Sequence, residues 1–251
     1  MLMETKEYQT QFFNRMNRDT FYKGRLGRVL ESEWFLMAEV KRIRCGSENC
    51  YLIEKKGRAI LIDTGREGYA EKILAQCTKL RVELILLTHG HLEQVQNAAR
   101  LSRELNAPLA IHRKDLGLIK NNFEEPVSYQ GFLGMMVAEV SARSFNEGGI
   151  SDFTPDLFLK EGDRLDSYGI DGSILELPGH TRGSIGVDLE KRAVFVGDAL
   201  MNLFYPGLPM IYCDKKLMMK SAEKISLLGT RKVYFCHGSP AENRGWIRME
   251  N

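Results

Sequence analysis

Thr88-His89-Gly90-His91-Leu92-Glu93-Gln94 follows directly on the apolar run Leu84-Ile85-Leu86-Leu87. An unbroken apolar run closed by polar residues reads as an interior strand with both faces covered. Its end carries two histidines at alternate positions. Alternate residues of extended chain point the same way, so both imidazoles can reach one ion. Two unrelated loop histidines give the same pattern, and the pair alone does not decide.

The same punctuation recurs along the chain. Ala59–Asp63 reads as a buried strand that breaks sharply at Thr64-Gly65. Ser173–Leu177 runs through Pro178-Gly179 into His180, Ala193–Val196 runs through Gly197 into Asp198, and Lys232–Phe235 runs into Cys236-His237. Of the five histidines, four stand at such strand ends. Several strand ends carrying imidazole or carboxylate are read most economically as one shared rim site. These donors suit zinc, iron or manganese. Further strands are expected at Trp34–Val40, Cys50–Glu54, Leu109–His112, Leu157–Leu159 and Ser184–Val187. Helices are expected at Tyr69–Leu80, Leu92–Leu105, where Asn106-Ala107-Pro108 stops the pattern, and about 215–228. Residues 1–33 read as an N-terminal extension. Asp115–Asp156 shows no clean period and reads as an irregular insertion. Such a segment is a candidate lid, with Phe132, Met135 and Met136 as lid or simple packing residues. Each half thus runs from a strand meander into a helix. That order predicts an α+β fold, two sheets face to face with helices outside, an αββα sandwich.

Composition narrows the classes. The 251 residues are 43% apolar, enough for one sizeable core. Lys plus Arg is 35 against Asp plus Glu at 33, a net charge of +2, which argues against a nucleic-acid partner. Lys41–Arg44 and Lys215-Lys216 read as solvated faces. Five scattered cysteines without a C-x-x-C pair suggest neither a disulfide framework nor a cysteine-zinc knuckle. No leader-like or bilayer-length apolar run occurs, so a soluble protein of a reducing cytoplasm, with no membrane partner, is expected.

Taken together, Asn49–Ile53, Leu61–Gly65, Thr88–Gln94, Pro178–Ile185, Phe195–Asp198 and Cys236–Gly238 resemble the metallo-β-lactamase superfamily, in particular its hydroxyacylglutathione-hydrolase-like members. The resemblance runs from Trp34 to about Pro240. It implies that His89, His91 and His180 hold one metal, that Asp198 bridges to a second, and that His237 holds the second. It also implies that Asp63 sits behind the ligands and orients one of them. His112 matches a position that is not a ligand and reads as structural. Thr181 and Ser184 read as stabilisers of the turn after His180.

The chain departs from the family's H-x-H-x-D-H motif, reading His89-Gly90-His91-Leu92-Glu93-Gln94. Glu93 reaches one methylene further than aspartate, and Gln94 offers only a neutral amide oxygen. Both occupy positions that ligate the second metal in the family. An intact first site with a weakened or altered second one is therefore expected, with zinc as the default and iron or manganese as alternatives. Cys236 reads as a buried small hydrophobe rather than a soft ligand. The expected activity is metal-assisted hydrolysis, with Glu93 or Asp198 handling the proton. The resemblance points to a small-molecule ester, thioester or lactone. Two rivals remain: a non-hydrolytic metal- or ligand-binding protein, motivated by Glu93-Gln94, and an iron-dependent oxygen or redox enzyme.

Overall fold

Adjacent residues of the central strands point into different cores, which explains why these strands are apolar without a break. In the computed structural model, β3 (Arg58–Ile62) sends Ile60 and Ile62 to one side and Leu61 to the other. In β4 (Arg81–Leu86) the strand, with Leu87 after it, sends Leu84 and Leu86 one way and Ile85 and Leu87 the other. Burial on both faces removes the need for a polar side. The structure describes residues 37–121, 124–147, 149–203 and 205–247. By compactness the chain divides after Met37, and the sandwich belongs to the second unit. The expected extension at 1–33 and the beginning of the first expected strand lie outside the described residues.

The first sheet has the order β1-β2-β3-β4-β5-β7, with β1 (Glu39–Cys45), β2 (Glu48–Lys55), β5 (Leu109–Ile111) and β7 (Leu157–Phe158). The second has the order β13-β12-β10-β9-β8, with β8 (Gly172–Glu176), β9 (Ile185–Leu189), β10 (Ala193–Phe195), β12 (Lys232–Tyr234) and β13 (Ala241–Glu242). The residues between the sheets come from both, including Tyr51, Ile53 and Leu86 from the first and Ile174, Val187 and Phe195 from the second. Tyr51, Phe195 and Tyr234 form an aromatic cluster there. The outer face of the first sheet is covered by α1 (Ala70–Cys77) and α3 (Ala98–Leu105), through Ile73, Cys77, Ala98 and Leu101. The outer face of the second is covered by α6 (Lys215–Leu227), through Ala222 and Ile225, together with Trp246. The four layers are the αββα sandwich expected. Burying each such Leu, Ile or Phe contributes about 1.5–3 kcal/mol.

Three expectations need correction. The first strand is displaced toward Lys41–Arg44: Ile43 and Cys45 face the core while Lys41 and Arg44 remain solvated. The strand is betrayed by this alternation, which its charges hide. The expected helix 92–105 is two helices, α2 (Leu92–Val95) and α3, interrupted at Gln96-Asn97. Asn97 leaves helical geometry so that its side-chain Nδ2 reaches the carbonyls of Thr64, Gly65 and Arg66 at 2.9, 3.0 and 2.7 Å. Finally, the segment 115–156 is not irregular. It contains α4 (Leu116–Lys120), β6 (Ser128–Tyr129), which pairs with β11 (Ile211–Tyr212), and the 17-residue α5 (Gly131–Glu147). Phe132, Met135 and Met136 on α5 are exposed, so they do not pack into a core. Exposed apolar residues around that helix erase the amphipathic period that would announce it.

Asn97→Ala is expected to cost about 2 kcal/mol, because it strips a buried donor from a turn with no substitute. Urea unfolding checks this; a loss within the error of the measurement would remove Asn97 from that role.

Candidate metal centre

Every candidate ligand follows a strand, and the strands belong to both sheets. His89 and His91 follow β4. His180 follows β8, Asp198 follows β10 and His237 follows β12. The rims of the two sheets meet there: Ile185 N–H donates to the Thr88 carbonyl at 2.9 Å, and Asn49 N–H donates to the Cys236 carbonyl at 2.7 Å.

Two groups of side chains result. In the first, the ligating atoms of His89, His91 and His180 lie within 4.8 Å of one another. The three rings stand nearly perpendicular in pairs, at 87–88°, so their nitrogens converge from three directions. His91 Nδ1 lies 3.0 Å from His180 Nε2. In the second, Asp198, Cys236 and His237 meet the same 4.8 Å limit. Asp198 stands between the groups. Its Oδ2 lies 3.3 Å from His237 Nε2, 3.7 Å from His180 Nε2 and 3.9 Å from His89 Nε2. The structure thus gathers five of the seven residues read as ligands. Glu93 joins neither group. Gln94 turns its Nε2 to Cys236 Sγ at 3.0 Å. Cys236, which reads from sequence as a small hydrophobe, is buried within the second group.

The electrostatics separate the groups. Burial, reinforced by the neighbouring imidazoles, holds His89 far below the usual histidine range and His91 near 3. Both rings are neutral at physiological pH, with lone pairs to offer. Burial also opposes charge on His237, but the Asp198 carboxylate outweighs it and lifts His237 to about 9. Burial likewise opposes ionisation of Asp198, and the facing imidazoles, His237 foremost, overcome it and hold the carboxyl well below its usual range. Glu93 shifts upward through burial and the Asp198 charge.

Among the described residues, four buried side-chain atoms lack any hydrogen-bond partner: His89 Nε2, Glu93 Oε2, Gln94 Oε1 and Asp198 Oδ1. All belong to this centre. An orphaned buried polar atom costs about 1–3 kcal/mol, so four in one place require a partner. Two of them, His89 Nε2 once the ring is neutral and Asp198 Oδ1, belong to the two groups of candidate ligands and are electron-pair donors that a divalent cation would satisfy. The residues therefore fit a metal ion.

A scaffold of hydrogen bonds holds the donors. His180 Nδ1 lies 2.9 Å from the Ile211 carbonyl and His237 Nδ1 3.3 Å from that of Ser47, which turns each Nε2 toward Asp198. Asp63, expected to orient a ligand, acts through an intermediary. Its carboxylate accepts from Thr88 N–H at 2.8 Å and from Thr88 Oγ1, which lies 3.1 Å from His89 Nδ1. Burial pushes the Asp63 carboxyl up to about 8. Thr181 Oγ1 lies 2.7 Å from Ser184 Oγ and steadies the turn after His180, as read from the sequence. His112 bonds Glu176 and Lys114 and is structural.

Asp115 escapes a reading of the sequence, and Asn49, which opens one of the matching motifs, does not reveal its role there. Asp115, fully buried, accepts from Gly90 N–H at 2.9 Å, Thr181 Oγ1 at 2.8 Å and Gly183 N–H at 2.6 Å. One carboxylate thereby ties the His89–His91 loop to the His180 loop. The approach is so close that a Cβ on Gly90 would meet the Asp115 carbonyl at 2.8 Å, and one on Gly183 would meet Asp115 Oδ1 at 2.4 Å. Asn49 Nδ2 holds the carbonyls of Phe235 and Gly238 at 3.1 and 2.7 Å, and Tyr51 OH holds that of Phe235 at 2.6 Å. The segment carrying Cys236 and His237 is thus clamped to β2.

Asp115→Ala is expected to weaken metal binding roughly 10–100-fold while every ligand remains present. Competition against a chromophoric chelator reads this directly; unchanged affinity would show that the two loops hold their positions without the carboxylate.

The metallo-beta-lactamase superfamily profile matches residues 43–237. Over 168 residues, 64% of this chain and 71% of the relative, the sequence is 33% identical to hydroxyacylglutathione hydrolase GloC of Haemophilus influenzae. Over 197 residues, 77% of this chain and 63% of the relative, it is 28% identical to hydroxyacylglutathione hydrolase 1 of Vibrio vulnificus. Among solved structures, TTHA1623 in a di-iron-bound form is similar at a TM-score of 0.61 and 26% identity, covering 83% of this chain and all of that one. The BLEG-1 B3 metallo-beta-lactamase shares the fold at a TM-score of 0.63 and 21% identity, over 81% of this chain and 94% of that one. With the sandwich, the strand-end histidines and the matched span in agreement, the chain belongs to the metallo-beta-lactamase superfamily.

Proposed function

We propose that the protein is a metal-dependent hydrolase of small acyl substrates, an ester, thioester or lactone. The observation that carries this is the convergence of His89, His91 and His180 in one group with Asp198 and His237 beside it, where His89 Nε2 and Asp198 Oδ1 are buried without a partner. His89, His91 and His180 are the residues that would hold a first ion, with Asp198 shared between them and His237. A divalent ion in such a place makes water acidic enough to supply a nucleophile at neutral pH and polarises the acyl oxygen.

The chain's own residues divide the remaining work. Asp198 stays ionised and holds the facing imidazoles. Glu93, buried and shifted upward, is the residue suited to take and return a proton. Environments that push two carboxyls in opposite directions assign them different roles. The 28–33% identity to hydroxyacylglutathione hydrolases supports the thioester class among the three. Zinc is the default ion of this reading, and the di-iron form of TTHA1623 makes iron its first alternative.

The test is an ester, thioester and lactone panel run on protein stripped by chelator and reloaded with zinc, iron or manganese. Turnover is expected to vanish on stripping, return on reloading and fall at least roughly 100-fold in Glu93→Gln, in line with the contribution of a positioned acid or base. Oxygen uptake by iron-loaded protein without turnover on the panel would replace this reading with an oxygen or redox enzyme. Absence of bound metal would leave a ligand-binding protein.

A further inference from the structure

Gln94 occupies the place where the family carries a histidine ligand, and its amide oxygen is a poor substitute. The structure shows what the chain offers in its stead. Cys236 Sγ lies with Asp198 and His237 in a group whose ligating atoms are all within 4.8 Å of one another. Gln94 does not point an empty amide at the site: its Nε2 donates to that sulfur at 3.0 Å. The amide oxygen left behind, Gln94 Oε1, is buried without a partner, as are Asp198 Oδ1 and Glu93 Oε2. Their residues are 0%, 3% and 9% exposed. Within the group, the orphaned Asp198 Oδ1 stands with a sulfur and an imidazole, an electron-rich set of donors.

The sulfur is held in place by the backbone around it. Cys236 N–H donates to the Gly197 carbonyl at 3.1 Å, and the Cys236 carbonyl accepts from Asn49 N–H. Gly197 is the residue before Asp198, so one hydrogen bond sets the spacing of thiol and carboxylate. Asn49 Nδ2 and Tyr51 OH fix the carbonyls on either side.

From this geometry we infer that Cys236 is a thiolate ligand of the second metal position, completing an Asp198–Cys236–His237 donor set in which Gln94 positions the sulfur instead of coordinating. This rests on the hydrolase reading only in requiring that the centre binds metal. Coordination replaces the S–H bond with an S–metal bond, and the thiol proton leaves to solvent. Exchanging an imidazole for a thiolate makes the second position softer than the first. It therefore favours zinc, or another ion that accepts sulfur, over manganese or magnesium.

X-ray absorption at the zinc edge tests this on full-length protein carrying two equivalents of zinc. A sulfur shell at about 2.3 Å is expected beside nitrogen and oxygen neighbours. It should be absent in Cys236→Ser and Cys236→Ala, and retained in Cys213→Ser. Gln94→Ala should keep the sulfur shell while weakening the second equivalent. Circular dichroism establishes that each variant is folded, and having two Cys236 variants guards against the loss of one. Two bound zincs with only nitrogen and oxygen neighbours would overturn the proposal while leaving the hydrolase reading intact. A sulfur shell that survives both Cys236 variants would overturn it too. Protein that binds no zinc would overturn the proposal, and protein that binds neither zinc, iron nor manganese would overturn both.

Discussion

The carboxylate of Asp115 does what no ligand can do for itself. It receives hydrogen bonds from Gly90, between His89 and His91, and from Thr181 and Gly183, which follow His180. The first two histidines are delivered by one sheet and the third by the other, so nothing in the strands alone fixes their distance. Burying that carboxylate raises its pKa to about 6, and its three donors repay part of the cost. Asn49 serves the other end of the centre in a similar way, with neutral donors, by fastening the Cys236–His237 segment to β2. The candidate ligands are thus positioned by polar contacts between loops, laid over a seam that the apolar core between the sheets closes.

Period and punctuation made much of the molecule legible in the sequence. Leu84–Leu87 and Ala59–Ile62 announced strands buried on both faces, because a short apolar run without a polar side suits a strand covered above and below. His89, His91, His180, Asp198 and His237 were legible because each follows such a strand, and because their order matched a known family. Asp115 was not legible. It lies in a segment without a clear period, and its partners are backbone N–H groups and a hydroxyl far away in the chain. Helix α5 stayed hidden because its exposed Phe132, Met135 and Met136 spoil the polar face that a surface helix usually shows.

Cys236 illustrates a different limit. A cysteine beside a strand end is most often a small apolar residue, and burial alone agrees with that. Only the proximity of Asp198, His237 and the Gln94 amide separates the two readings, and proximity across 142 positions of chain leaves no local trace. The departure at Gln94 was visible; its partner was not. The pair makes sense as one exchange, in which a nitrogen donor is given up on one loop and a sulfur is presented from another.

The seam has a consequence for the life of the protein. His89 and His91 extend one sheet, while His180, Asp198 and His237 extend the other, so an ion held among them fastens the two halves of the sandwich. A ligand that binds only the folded chain adds stability that grows with the logarithm of its free concentration, about 2.7 kcal/mol at a hundredfold excess over the dissociation constant. On the hydrolase reading, the supply of metal in the surroundings would then govern more than turnover. It would set how often the halves part, and with that the exposure of the chain to proteases and the time for which a molecule persists.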